Sequence, residues 1–155
     1  MKKNLSNKQI EKYSRQIVLK NVGTIGQKKI LNSNVLVVGA GGLGCPVIDY
    51  LSRAGVGRLG IIDYDKIDPS NIHRQSIYTF KDVGKYKVDV LKRKIMDINP
   101  DVKTKIFKSK ITNKNVDKIL KQFDIIIDGS DNFKTKFLLN KFARKLKKTL
   151  IVGAI

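Results

Sequence analysis

A single cysteine, Cys45, excludes an internal disulfide and any cysteine-rich zinc centre built from this chain. Three prolines and twelve glycines are too few for a fibrous or linker-like chain of 155 residues. No apolar run approaches the roughly 18–20 residues that a membrane helix needs. Met1-Lys2-Lys3-Asn4-Leu5-Ser6 leads into a charged amphipathic stretch rather than an apolar signal core. The expectation is a soluble, cytoplasmic protein with no membrane partner. Acidic residues are scarce too, 13 against 32 basic ones, for a net charge of +19.

That charge points on its face to nucleic acid. Of the basic residues, however, 26 are lysine, and Lys, Ile and Asn together fill 57 positions, a bias that A/U-rich codons explain without any partner. The lysines are not interleaved with aromatics, as a strand-stacking surface requires. Residues 1–34 carry +7 and residues 101–155 carry +9, while residues 35–100, where the richest motifs begin, carry only +3. Nucleic acid is the weaker partner class. A basic surface equally suits an acidic protein.

Hydrophobic residues at 41% support one packed domain. Ile10, Tyr13 and Ile17 at helical spacing predict a helix over 7–20, with a shorter one over 25–31. Val35-Leu36-Val37-Val38 reads as a strand buried on both faces, and Pro46 opens the helix that follows. A strand over 58–62, a helix over 84–98 stopped by Asn99-Pro100, and a strand over 105–111 come next. A helix over 116–123, a strand over 125–127, a helix over 133–147 and a strand over 150–152 complete the alternation. The fold class is α/β, a Rossmann-like doubly wound, mostly parallel sheet of about five strands with an N-terminal helical segment. The expected division is 1–34 for that segment and 35–155 for a nucleotide-binding domain.

The first chemical signal is Gly39-Ala40-Gly41-Gly42-Leu43-Gly44 between a strand and a helix. Glycines permit the tight turn and the approach of phosphate to backbone N–H groups at a helix N-terminus. Asp63 ends the next strand, where its carboxylate can accept ribose hydroxyls. A Gly-rich turn with a capping aspartate is the plainer alternative, and this motif does not separate NAD from ATP. Arg74 and Lys87 supply the cations that a triphosphate requires. Asp131, in Asp128-Gly129-Ser130-Asp131-Asn132, could hold magnesium through one oxygen. By spacing alone, Asp131 or Asn132 is also an N-cap of the next helix. Cys45 stands at a helix N-terminus, which lowers a thiol pKa, yet a small buried structural role suits it better.

Taken together, Tyr13-Ser14-Arg15-Gln16, the 39–44 turn, Ala54-Gly55-Val56-Gly57, Asp63-Tyr64-Asp65, Ser70-Asn71-Ile72-His73-Arg74-Gln75, Val83-Gly84 with Lys87, and Ser130-Asp131-Asn132 resemble the ThiF/MoeB/HesA family, bacterial relatives of ubiquitin-activating enzymes. The resemblance runs in order over essentially the whole chain. It implies an ATP-dependent adenylyltransferase that activates the C-terminal glycine carboxylate of a ubiquitin-like sulfur carrier, in thiamine or molybdopterin synthesis. Gly39, Gly41, Gly42 and Gly44 would line the nucleotide and Asp63 the ribose. Ser70, Asn71, His73, Arg74, Gln75 and Lys87 would surround the phosphates. Asp131 and Asn132 would sit at the α-phosphate, with Mg²⁺ on Asp131. Arg15 resembles an arginine that the family donates across a homodimer interface, which makes Arg15, Arg74, Lys87 and Asp131 the catalytic set.

Family members carry two Cys-x-x-Cys pairs for zinc beyond the position equivalent to Ile155, so the resemblance implies a C-terminally truncated chain without the zinc site. A relative that adenylates a carboxylate on tRNA, an NAD-dependent oxidoreductase and a non-catalytic nucleotide-binding remnant remain the other readings.

Overall fold

Among the described residues, 5–154, the computed structural model forms one parallel sheet from β1 (Asn34–Val38), β2 (Arg58–Ile62), β3 (Lys103–Phe107), β4 (Ile125–Asp128) and β5 (Thr149–Val152). Residues 1–4 of the expected N-terminal segment and Ile155 of the expected 35–155 domain lie outside the described residues. The order β3-β2-β1-β4-β5 is the doubly wound Rossmann-like arrangement that the alternating pattern predicts. The chain builds outward from β1 to β3, then crosses back to place β4 on the other side of β1. Val38 pairs with Ile62 on one side and Asp128 on the other. The carboxyl ends of these strands therefore meet at the switch point, where ligands of such sheets bind.

Side chains of a strand alternate between faces, and β1 shows what that does. Val35 and Val37 pack on one face with Ile48 of α4 (Gly44–Ala54) and Leu91 and Ile95 of α5 (Lys87–Ile98). Leu36 and Val38 pack on the other with Leu120 of α6 (Val116–Leu120), Phe123 and Leu139 of α7 (Phe133–Lys145). Gly60 of β2 leaves the space that the Phe123 ring fills. β5 is a sheet edge, with Ile151 and Val152 about half exposed.

The N-terminal periodicity misleads. Instead of one helix over 7–20, the chain forms α1 (Asn7–Lys12) and α2 (Ser14–Ile17), and Ile10 is exposed. The break is at Tyr13, whose ring is buried over Gly55, a residue with φ +83 that could not bear a Cβ there. Its hydroxyl accepts a hydrogen bond from Asn99 Nδ2 at 2.9 Å, and the same amide donates to Ser52 O at 2.8 Å. Burial of one aromatic at a specific corner outweighs a weak apolar stripe. The next helix, α3 (Gly23–Leu31), docks nearby, with Gly57 N–H donating to Ile30 O. Both attachments fall at the amino ends of the strands. α5 likewise starts later than position 84, because Gly84 has φ +82 and Tyr86 is extended.

Candidate nucleotide-binding site

The four motif glycines divide into two kinds. Gly39 has φ +90, and a Cβ there would lie 2.9 Å from Gly129 O; a Cβ on Gly44 would strike Gly39 O. These two are glycine because backbone crosses backbone. Gly41 and Gly42 are different. An added Cβ would meet nothing closer than Gln75 Nε2 at 3.9 Å and Arg74 Cδ at 3.8 Å. Among the described residues, the backbone N–H groups of Gly41, Gly42 and Leu43 donate to nothing. Unengaged donors beside the N-terminus of α4 make a candidate anion cradle.

The turn is held from below. Ala40 N–H donates to Asp63 Oδ2 and Asp65 N–H to Asp63 Oδ1, both at 2.7 Å. Asp63 thus fixes its own loop; a carboxylate has about four acceptor sites, so capacity remains for hydroxyls. Ala40 O accepts from Tyr78 Oη at 3.0 Å and from Cys45 Sγ at 3.3 Å. Burial pushes the Cys45 thiol up to about 11, reversing the fall expected from its helix N-terminus. Only about one thiol in a thousand is then ionised at pH 8. Native protein is expected to resist iodoacetamide at that pH and react only when unfolded; rapid native alkylation would contradict the burial argument.

The 70–75 segment begins as a 3-10 turn, Pro69–Asn71, in which Asp68 accepts from Ser70 N–H at 2.9 Å and Asn71 Oδ1 accepts from Asp68 N–H at 3.3 Å. Arg74 Nη1 donates to Ser70 O at 2.9 Å, which lays its stem beside Gly42. Gln75 is buried against Gly41 and its Oε1 has no partner. It is the amide Nε2, a donor, that faces Gly41 and so joins the unengaged backbone donors there. His73 is exposed. Lys87, 5% exposed at the start of α5, reaches Asp65 Oδ2 at 3.2 Å.

At the end of β4, Asp128 is fully buried. Its Oδ1 accepts from Ser130 N–H and Oγ, at 2.9 and 2.6 Å. Lys136 Nζ lies 3.5 Å from Asp128 Oδ2 and donates to Gly153 O at 2.7 Å. Asn132 caps α7, accepting from Thr135 N–H at 2.9 Å, and so takes the capping role that spacing allowed. Asp131 stays exposed, 3.5 Å from Asn132 Nδ2. No group of three or more His, Cys, Asp or Glu converges as a metal site among the described residues. A magnesium ion would fit at Asp131 only if phosphates and water completed its shell. Arg15 is exposed on α2, and no hydrogen bond or ion pair among the described residues brings it to this site. Sequence reasoning missed Asp65, Tyr78 and Lys136. Asp65 stands in a quoted motif, whereas Tyr78 and Lys136 carry no local signal.

Strand order, Gly-rich turn, terminal carboxylate of β2 and open donors at the switch point define a Rossmann-like domain of the nucleotide-binding class. Within that class the chain belongs to the ThiF family, whose model matches residues 13–155. It is 42% identical over 150 residues to the sulfur carrier protein adenylyltransferase of Thermus thermophilus, covering 97% of this chain and 55% of that protein. It therefore spans about half the length of that curated relative. Among solved structures, TcdA (CsdL) superposes with a TM-score of 0.89 at 26% identity, over 95% of this chain and 58% of that one. Escherichia coli MccB with AMPCPP and selenomethionine MccA superposes with a TM-score of 0.86 at 26% identity, over 97% and 45%. No helix among the described residues is long and apolar enough to cross a membrane.

Proposed function

We propose that this chain is the nucleotide-binding part of a cytoplasmic, Mg²⁺-dependent adenylyltransferase, which uses ATP to activate the C-terminal glycine carboxylate of a ubiquitin-like sulfur carrier. The observation that carries the reading is the set of three unengaged N–H groups at 41–43, faced by Gln75 Nε2 and the Arg74 side chain. The 42%-identical relative named as a sulfur carrier protein adenylyltransferase, and the AMPCPP in the MccB structure, support it.

In the reaction, a carboxylate oxygen attacks the α-phosphorus, the α–β P–O bond breaks, and pyrophosphate leaves with the electron pair. The nucleophile is already ionised at neutral pH, so no general base is required. Positioning and charge stabilisation remain. The 41–43 amides hold phosphate oxygens, and Asp63 offers its remaining lone pairs to the ribose. Ser70, Asn71, His73, Gln75 and Asn132 line the polar wall. Arg74 and Lys87 neutralise the phosphates, Lys87 exchanging its hold on Asp65 for a more anionic partner. Asp131 would hold a magnesium ion, which would draw charge from the phosphates. Residues 1–34 carry Arg15 toward a second copy in a homodimer, and 35–155 form the catalytic domain.

ATP–pyrophosphate exchange tests this directly. Exchange is expected to need Mg²⁺ and a carrier ending in a free glycine carboxylate. Asp131→Ala is expected to lower its rate about a hundredfold while changing ATP affinity only a few-fold. Exchange that ignores the carrier, or NAD binding tighter than Mg-ATP, would overturn the reading.

A further inference from the structure

We propose that Tyr78 is a positioning residue that aims the Gly41 N–H into the anion cradle, a role that rests on the nucleotide reading of this site. The argument begins with the peptide between Ala40 and Gly41. It is trans, as are the peptide bonds of all described residues. In a planar trans peptide the carbonyl and the N–H point in opposite directions. Ala40 O is directed inward, onto the Tyr78 hydroxyl at 3.0 Å. The Gly41 N–H of that same peptide is therefore turned outward, where it donates to nothing among the described residues.

Tyr78 is suited to the task. It is 3% exposed, and burial pushes its hydroxyl far above the ordinary phenol range, so it remains an O–H donor. Its own N–H donates to Gln75 O at 3.1 Å. One residue thus ties the turn that ends at Gln75 to the Gly-rich turn, across which Gln75 and Arg74 face Gly41 and Gly42. Asp63 fixes the N–H of Ala40 but not its carbonyl. The other donor to that carbonyl, Cys45 Sγ at 3.3 Å, is a thiol and a weak one. Without the phenol hydroxyl the 40–41 peptide would lose its main restraint against rotation.

Tyr78→Phe removes the hydroxyl and keeps the ring. In ligand-free protein, the ¹⁵N order parameter of Gly41 is expected to fall from the rigid range, about 0.85, toward 0.6, while residues of β1 stay rigid. By titration, affinity for Mg-ATP is expected to weaken about three- to tenfold, with adenosine affinity unchanged because its contacts lie at Asp63. Equal losses for ATP and adenosine would mean a general structural defect and would overturn the proposal, as would an unchanged Gly41 amide. Wild-type protein that binds no Mg-ATP would instead overturn the nucleotide reading, and the order parameter would still report on Tyr78.

Discussion

Gly44→Ala is expected to destabilise the fold severely, while Gly41→Ala is expected to leave stability intact and weaken nucleotide binding. The added methyl at position 44 runs into Gly39 O, a backbone atom that cannot swing aside as a flexible side chain would. Gly39 is held on one side by its N–H bond to Ile62 O and on the other by contact with Gly129. Overpacking of backbone on backbone costs about 3 kcal/mol or more, a large share of the roughly 5–15 kcal/mol that holds a domain together. The melting temperature should fall by roughly 10 °C, or cooperative unfolding should disappear. At Gly41 the methyl enters open space 3.9 Å from Gln75 Nε2, so thermal stability should hardly change. It would stand where a phosphate must approach the amides, and ATP affinity should fall about tenfold or more, at least 1.4 kcal/mol. Thermal unfolding and nucleotide titration of the two variants check the contrast. Equal melting losses at both positions would show that all the motif glycines serve packing alone.

The distinction between those glycines is one that sequence could not draw. The G-x-G-x-x-G spacing is legible because strand, turn and helix follow one another locally. Gly39 is forced by Gly129, ninety positions further along the chain, Gly44 by the way the turn folds back on Gly39 O, and Gly41 and Gly42 are left open. The strands were legible for a related reason. Runs such as Val35-Leu36-Val37-Val38 and Ile125-Ile126-Ile127 are apolar on both faces, which a buried parallel sheet demands. In the sequence Tyr13 falls into a helical stripe because its partners, Gly55 and Asn99, are distant along the chain. Cys45 went the other way. The helix N-terminus alone argues for a low pKa, but the buried structural role that suits a small residue there is the one the fold shows, and burial raises the thiol. Lys136 reaches Asp128 and Gly153 together only once α7 lies beside β5. In each case the legible part is set by neighbours along the chain, and the missed part by neighbours in space.

The last expected result follows from the two ends of the sheet. Tyr13 is anchored over Gly55 and Asn99, at the amino ends of β2 and β3, and Arg15 follows two residues later on α2. Asp131 lies just past the carboxyl end of β4. No described hydrogen bond or ion pair links Arg15 to the candidate site. If Arg15 and Asp131 complete one active site, as in the proposed homodimer, the arginine comes from a second copy. Arg15→Ala and Asp131→Ala proteins should each retain about one hundredth of the exchange activity. Mixed in equal amounts and allowed to exchange subunits, they should recover about a quarter of it, since half of the dimers are mixed and each has one intact site. The Arg15 guanidinium is exposed, so its loss should leave the melting temperature unchanged and keep the comparison clean. Absence of recovery in a mixture whose dimers are confirmed by sedimentation would refute donation between copies, leaving Arg15 as surface charge on a helix that serves only to dock α3.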